Sequence, residues 1–287
     1  MKKIDSISFD ELLGECNPFD QGAHEFDLSE VEFISPAGLV QVTAACHSLA
    51  KIGRQPTVKT GNGDVRGYLS RSGFFSALDG VAQIDPPLPR VLQLMSDYQR
   101  GRNPLLIEVT KIDSGALLPS LLTQIVEVLR RRMKYKKHDA FDVAIAISEL
   151  CQNTFDHNSG TCGFLAMQAY GKGVNRFIEV AVADFGDGLL KTLGRNPKYS
   201  GLSTDIDAIR HAIQPGVSEH DDATRGTGLH HLVEITYRHS GSVQIRSGAG
   251  KVRFRMDKKI GHTFIVPRMP GVQVALTLRA KQPSASA

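Results

Sequence analysis

Three prolines in four residues, within the stretch IDPPLPR from Ile84 to Arg90, divide this chain more firmly than anything else in it. Proline lacks a backbone N–H and fixes φ, so neither a helix interior nor a central strand passes through such a run. The run predicts a boundary: one domain over residues 1–85, a connecting helix or linker over 86–102 containing VLQLMSDYQRGR, and a larger domain over 103–280. At roughly 100–200 residues per domain, a chain of 287 residues accords with two. The remaining residues, 281–287, read KQPSASA and predict a disordered tail.

Before the boundary, HEFDLSEVEFIS alternates apolar and polar residues as a strand does. PAGLVQVTAACHSLAKIG then carries Leu39, Val42, Cys46 and Leu49 on one helical stripe. PTVKTG predicts a short strand and VRGYLSRSGF a second helix. Strand–helix–strand–helix in so short a span is a small α/β domain.

After the boundary, NPLLIEVTKI is a strand, ALLPSLLTQIVEVLRRRMKY a helix, and HDAFDVAIAISELCQNTFDHN a second helix almost without a break. Two strands follow, CGFLAMQAYG and RFIEVAVADFG. A long polar, Gly-containing segment runs from Leu189 to Thr224. GTGLHHLVEITYRHSG reads as a helix ending at Gly241, and SVQIRSG, KVRFRM, HTFIV and VQVALTLR as four closing strands. Helices in one part and strands in another predict α+β: one helical layer on one mixed sheet.

Composition excludes several classes. Apolar residues make up 41% and charged residues 22%, ample for a core. The net charge of +4 is too small for a nucleic-acid signature. The densest basic run, RRRMKYKK from Arg130 to Lys137, ends a predicted helix, where cations suit the negative end of the helix dipole. Cys16, Cys46, Cys151 and Cys162 are far apart, without the spacing of a zinc site or a disulfide framework. A reducing, cytoplasmic setting is expected. MKKIDSISFDELL has no apolar h-region and no 18-residue apolar run occurs, so neither export nor membrane spanning is expected.

Three stretches carry chemistry. In ELCQNTFDHNSG, each helical residue turns by about 100°, placing Asn153 near 40°, Asp156 near −20° and His157 near 80° from Glu149. Val143, Ile147, Leu150 and Thr154 fall at roughly 100–160°, an apolar stripe turned away from the carboxylates, and Cys151 at about 200° points inward. A carboxylate and a carboxamide one turn apart suit a hard cation and its water: the amide oxygen can ligate Mg²⁺ while the carboxylate takes a proton. A solvated helix face carries the same residues. In VADFGDGL, an apolar strand ends at Asp184, and Gly186 and Gly188 let the chain turn closely past a flat ligand. In TRGTGLHHLVEI, Gly226 and Gly228 open a helix whose exposed N–H groups form an anion site. The last pattern is neither a P-loop nor a Rossmann fingerprint.

Taken in order, E-x-x-x-N on a helix, DxGxG after a strand, a polar segment and GxGL opening a helix resemble the GHKL nucleotide-binding family over about Asn103 to Ala280. That family holds histidine kinases, gyrase-type ATPases, Hsp90-type chaperones, MutL and anti-sigma-factor kinases. The resemblance implies a Bergerat-fold α/β sandwich with ATP and Mg²⁺ as cofactors. It makes Asn153 the metal ligand and Glu149 the catalytic base. Asp156 and His157 would lie near the nucleotide and Asp184 would bind the adenine amine, with Gly186 and Gly188 shaping the base pocket. Arg225, Gly226, Thr227 and Gly228 would hold phosphates, and Leu189 to Thr224 would be the ATP lid, with Arg195 and Lys198 as cations that can meet the γ-phosphate. Related domains carry Gly-Thr before the last strand; here the best match is Gly271-Val272, with Gly261-His262-Thr263 as the alternative. His230 and His231 read as surface or packing residues. Leu117 to Lys137 has no histidine, unlike the phosphoacceptor helix of a histidine kinase, and N-x-x-D-H is similar to the anti-sigma-like branch.

Phe26 to Leu78 resembles a STAS domain, the anti-sigma-antagonist fold, in which a D-S-S-G turn opening a helix is phosphorylated on serine. Here the turn is Ser35-Pro36-Ala37-Gly38, so the two serine positions have no hydroxyl. Together the resemblances imply a two-domain regulatory protein in which ATP orders a lid and changes what is offered to a protein partner of STAS or sigma/anti-sigma type. Slow ATP hydrolysis timing a switch is the first expectation. Ser/Thr phosphorylation of a separate STAS partner and purely ligand-gated assembly are the alternatives. No direct nucleic-acid or membrane partner is expected, and a homodimer is left open.

Overall fold

The computed structural model describes residues 2–20, 24–61, 63–89, 91, 106–156, 161–217, 228–255 and 258–281. Most of the connecting segment and of the tail falls outside these residues. No helix among those described is long and apolar enough to cross a membrane.

The chain begins with β1 (Lys3–Ile4) and α1 (Phe9–Cys16), neither of which the sequence reading assigned. The run expected as one strand is two, β2 (Glu25–Leu28) and β3 (Phe33–Ile34). The Ser29 N–H donates to Asp27 Oδ1 at 2.9 Å and the Val31 N–H to the Leu28 carbonyl at 3.2 Å, and these local bonds turn the backbone out of the ladder. β3 pairs in parallel with β1. After α2 (Pro36–Lys51) come β4 (Thr57–Thr60), α3 (Asp64–Arg71), α4 (Phe74–Ala77) and β5 (Gln83–Asp85). β2, β4 and β5 form a parallel sheet in that order. Arg66 ties the proline run to this sheet, donating to the carbonyls of Pro86 and Pro87 and to Thr60 Oγ1.

The rest of the chain forms one five-stranded sheet. Its strands are β6 (Leu106–Ile112), β7 (Gly163–Tyr170), β8 (Phe177–Asp184), β9 (Ser242–Arg255) and β10 (Lys258–Arg279), in the order β6-β7-β8-β10-β9. Every pairing is antiparallel, which corrects the expected mixed sheet. The helix pair α5 (Leu118–Arg131) and α6 (Lys137–Asp156) explains the first pairing: two helices between strands return the chain to the end it left, so β7 runs against β6. The four closing strands expected are two long ones. Register shifts near Ile265, Met269 and Val272 and the positive φ of Gly248 and Gly271 bend the pair without ending it.

The polar segment after Asp184 is also more ordered than a loop. It forms α7 (Gly188–Leu193) and α8 (Asp205–Ala212), with Leu193, Ala208, Ile209 and Ala212 buried in the core. Its apolar positions are too sparse for the sequence to signal helices. The last helix, α9 (Gly228–Arg238), lies beside α6.

Both faces of the five-stranded sheet are covered, which corrects the single helical layer. On one face Leu165, Met167, Val180 and Val182 pack with α5, α6 and α9. On the other, Phe164, Ala166, Ala181 and Ala183 pack with α2. Alternating strand residues therefore belong to two cores, as the pleat requires. α2 is enclosed between the sheets: among its sixteen residues only Lys51 is exposed. Ser35 caps its start, Pro36 supplies its first turn, and a run of small and apolar residues leaves no wet face.

Two buried polar ties fix this docking. Glu179 on β8 accepts from Ser35 Oγ at 2.6 Å and from the Ala37 N–H at 2.9 Å, so the sheet supplies an anion to the α2 N-terminus. Asp10 on α1 receives the buried side chains of Arg246 and Lys251 from β9. Burial pushes the Glu179 carboxyl above the usual range, and the bonds from Ser35 and Ala37 pull it part of the way back. Its folded form therefore binds a proton more readily than its unfolded form, and its contribution to stability is lost as pH rises from the ordinary glutamate range through the raised folded value. Denaturation curves should accordingly show Glu179→Gln gaining on the wild type as pH rises to 7. Glu179→Ala, which leaves the Ser35 hydroxyl and the Ala37 N–H without an acceptor, should cost about 1–3 kcal/mol per orphaned group.

Candidate functional site

The second half of α6 carries the first group of candidate residues. Ala140, Val143, Ala144, Ile147, Leu150, Cys151 and Thr154 recur at helical spacing and are buried, which fixes the rotation of the helix. That rotation leaves Glu149 and Asn153 half-buried and Asp156 exposed. Cys151 is packing: burial pushes its thiol up to about 12.

α9 begins against this pair. A methyl group on Gly228 would stand 3.2 Å from Glu149 Cβ, 3.3 Å from Glu149 Oε2 and 3.6 Å from Asn153 Nδ2. The absence of a side chain at Gly228 is what lets the N-terminus of α9 come so close. Glu149 Oε2 is buried, and among the described residues it has no hydrogen-bond partner. A buried carboxylate oxygen without a donor costs about 1–3 kcal/mol or more, so such an atom calls for a water, an ion or a ligand to satisfy it. A donor-free acid, a carboxamide and the N–H end of a helix thus converge on one point.

The second group lies at the end of β8. Asp184 is 5% exposed. Its Oδ1 accepts from the Gly186 N–H at 2.8 Å and its carbonyl from Gln273 Nε2 at 3.1 Å. Gly271, at φ +82°, lies directly on it: a side chain there would stand 2.7 Å from Asp184 Oδ1 and closer still to the carbonyl. Gly188, at φ +78°, starts α7 against Ser247, whose Oγ accepts from the Leu189 N–H at 2.8 Å. Of the two matches expected before the last strand, Gly271 is therefore the one against Asp184.

Thr154 joins the two groups. It follows Asn153 and packs on Gly163, where a side chain would fall 2.5 Å from Thr154 Cβ, and Gly163 pairs with Asp184 across β7 and β8. Sequence reasoning missed Gly163, Thr154 as a joint and Ser247. Only the glycine opening a strand was a usable signal. His157, Arg225, Gly226 and Thr227 lie outside the described residues. Arg195, read as a cation for phosphate, pairs with Asp187 at 2.5 Å. His231 meets Asp142 at 3.0 Å and His230 the Ile213 carbonyl at 3.0 Å, both as packing partners.

Among the described residues no three His, Cys, Asp or Glu side chains gather as a metal cage. The donor set fits a cation that keeps much of its water and takes one protein oxygen, as Mg²⁺ does beside phosphates. A scan of protein-family models finds no match to this chain, and a search of curated proteins finds none either. The arrangement therefore stands on its own geometry.

Alanine suits a helix better than glycine by about 1 kcal/mol. Gly228→Ala should nevertheless fail to stabilise, because its methyl must displace Glu149 or Asn153. Combining it with Glu149→Ala, which removes Oε2 but keeps the Cβ at 3.2 Å, should recover part of the lost stability, a coupling readable from a thermal double-mutant cycle.

Proposed function

We propose that this protein binds Mg-ATP between α6, α9 and the end of β8 and acts as a nucleotide-dependent regulatory switch with slow hydrolysis. The supporting observation is the convergence of Glu149, whose buried Oε2 has no donor among the described residues, Asn153 and the α9 N-terminus at Gly228. The reading takes the larger part of the chain as a Bergerat-type ATP domain of the GHKL kind, and the N-terminal part as a STAS-like domain.

In this reading the Asn153 amide oxygen ligates the metal. The α9 N-terminus, with Gly226, Thr227 and Gly228, holds phosphate oxygens through its N–H groups. Asp184 accepts from the adenine amine, with Gly186 and Gly188 leaving room for the ring. Asp156 and His157 border the nucleotide. Glu149 holds the proton of an attacking water or hydroxyl, and the metal supplies charge neutralisation at the phosphates when bound.

A second reading, phosphorylation of a serine or threonine, is constrained by one observation. The Ser35 hydroxyl is 1% exposed and donates to Glu179, and Pro36 and Ala37 offer none. The helix it caps covers the sheet face opposite α6. The turn before α2 therefore offers no acceptor, and this reading takes the acceptor from another chain, such as a separate STAS-type partner. In the third reading ATP only gates assembly.

Calorimetry of the full chain with ATP should give Mg²⁺-dependent uptake, and ATP at 100 times its Kd should add about 2.7 kcal/mol to stability. Asn153→Ala should weaken the Mg²⁺-dependent affinity by about tenfold or more. Glu149→Gln should keep binding and lower turnover by about 10²-fold or more, as expected for loss of a general base. Absence of uptake would defeat the proposal. Unchanged turnover in Glu149→Gln would remove the base, and binding with no turnover in the wild type would leave ligand gating.

A further inference from the structure

The chain's densest run of positive charge is one short segment. Residues 130–137 hold six of the 34 Lys and Arg residues, and without them 28 cations face 30 acids. All six side chains are exposed. Among the described residues only Arg131 has an acidic partner, Glu127 at 2.9 Å. Like charges at this density repel one another, and alone they would favour an open, solvated run.

The fold instead holds them in a fixed turn between α5 and α6. Met133 and Tyr135 are buried beneath the cations. The Tyr135 hydroxyl donates to the Arg279 carbonyl at 3.0 Å, the Lys281 N–H to the Met133 carbonyl at 2.9 Å, and Arg176 to the Arg132 carbonyl at 2.6 Å. Lys134 takes a left-handed conformation, φ +60°, that a non-glycine residue adopts only when its surroundings impose it. The turn borders a cleft of about 590 Å³, where Arg130, Arg131, Lys136 and Lys137 stand around Val126 and Tyr135. Lys137 leads out of the cleft to Phe141, with its Nζ 5.9 Å from the ring. Phe141 and Ile145, one turn apart on α6, are 46% and 51% exposed.

We infer that this corner of α5 and α6 is a docking surface for an acidic segment of a partner protein, one that carries apolar side chains among its carboxylates. The cations neutralise the carboxylates, and Phe141 and Ile145 take the apolar side chains. Charge complementarity selects the partner, and the pinned turn means that little ordering accompanies binding. Single-stranded nucleic acid fits less well. Successive bases need a row of open aromatic faces, whereas this corner offers Phe141 alone: Tyr135 is 4% exposed, with His239 at 5.0 Å and the Lys281 ammonium 5.3 Å from its ring. A bilayer fits less well because the cations line a concavity. The surface is independent of the nucleotide reading.

Fluorescence anisotropy of a labelled repeating Glu-Glu-Leu peptide with the full chain tests this. Binding should weaken by about tenfold or more when Arg130, Lys136 and Lys137 are together changed to Glu, and by several-fold in Phe141→Ser. A control with Lys2, Lys51 and Lys172 changed to Glu should bind like the wild type, and circular dichroism should show all variants folded. A Glu-Glu-Ser peptide should bind more weakly than the parent. The inference is overturned if the peptide does not bind, or if oligothymidylate or phosphatidylglycerol vesicles bind more tightly. It also fails if the control triple weakens binding equally, or if neither Phe141→Ser nor the serine peptide changes affinity, since attraction would then be charge alone.

Discussion

The burial of α2 on every side is the constraint around which the rest of the molecule is arranged. A helix with no wet face must be enclosed, and here the enclosure is the five-stranded antiparallel sheet on one side and the N-terminal elements on the other. Small residues on the sheet, Ala166, Ala181 and Ala183, let the helix lie close, and Gly38 does the same toward Ile4 and Ile34. Because the sheet is covered on both faces, its strands are apolar on both, and the helix layer carrying Glu149 and Asn153 is held from behind by the N-terminal elements.

This arrangement changes what the N-terminal part can do. In the STAS-like reading the turn before α2 is where a phosphate would be added. In this chain the turn is spent on structure: Ser35 caps the helix and donates to a carboxylate of the neighbouring sheet. Burying a carboxylate is costly, and it is offset by two hydrogen bonds and the positive end of the helix. The Asp10 cluster repeats the device at the β9 side. These ties hold the N-terminal elements as a wall of the molecule.

The candidate site is made by close approaches that side chains would forbid. Gly228 admits the α9 N-terminus to Glu149 and Asn153, Gly163 admits Thr154, and Gly271 admits the end of β8. The contacts at Gly228 and Gly271 join elements distant in sequence, so the site is the place where α6, α9, β8 and β10 meet rather than the property of any one of them. The Glu149 oxygen that has no donor among the described residues lies at that meeting point.

Periodicity determined much of this from sequence alone. The apolar stripe of α6 fixed which side Glu149 and Asn153 occupy, the apolar runs of β7 and β8 marked them as strands without showing that both faces are buried, and the proline run fixed where regular structure stops. These are local properties, set by 3.6- and 2-residue repeats and by the missing N–H of proline. Asp10, Glu179, Arg246, Gly163 and Ser247 had no legible role, because each acts only on a residue far along the chain. The antiparallel course of the sheet, the merging of four apparent strands into β9 and β10, and the helices after Asp184 were likewise decided by pairing and burial at long range. A sequence records which residues can be buried. Which surface buries them depends on the free energy of the whole packed chain, and here that surface was the second face of the sheet.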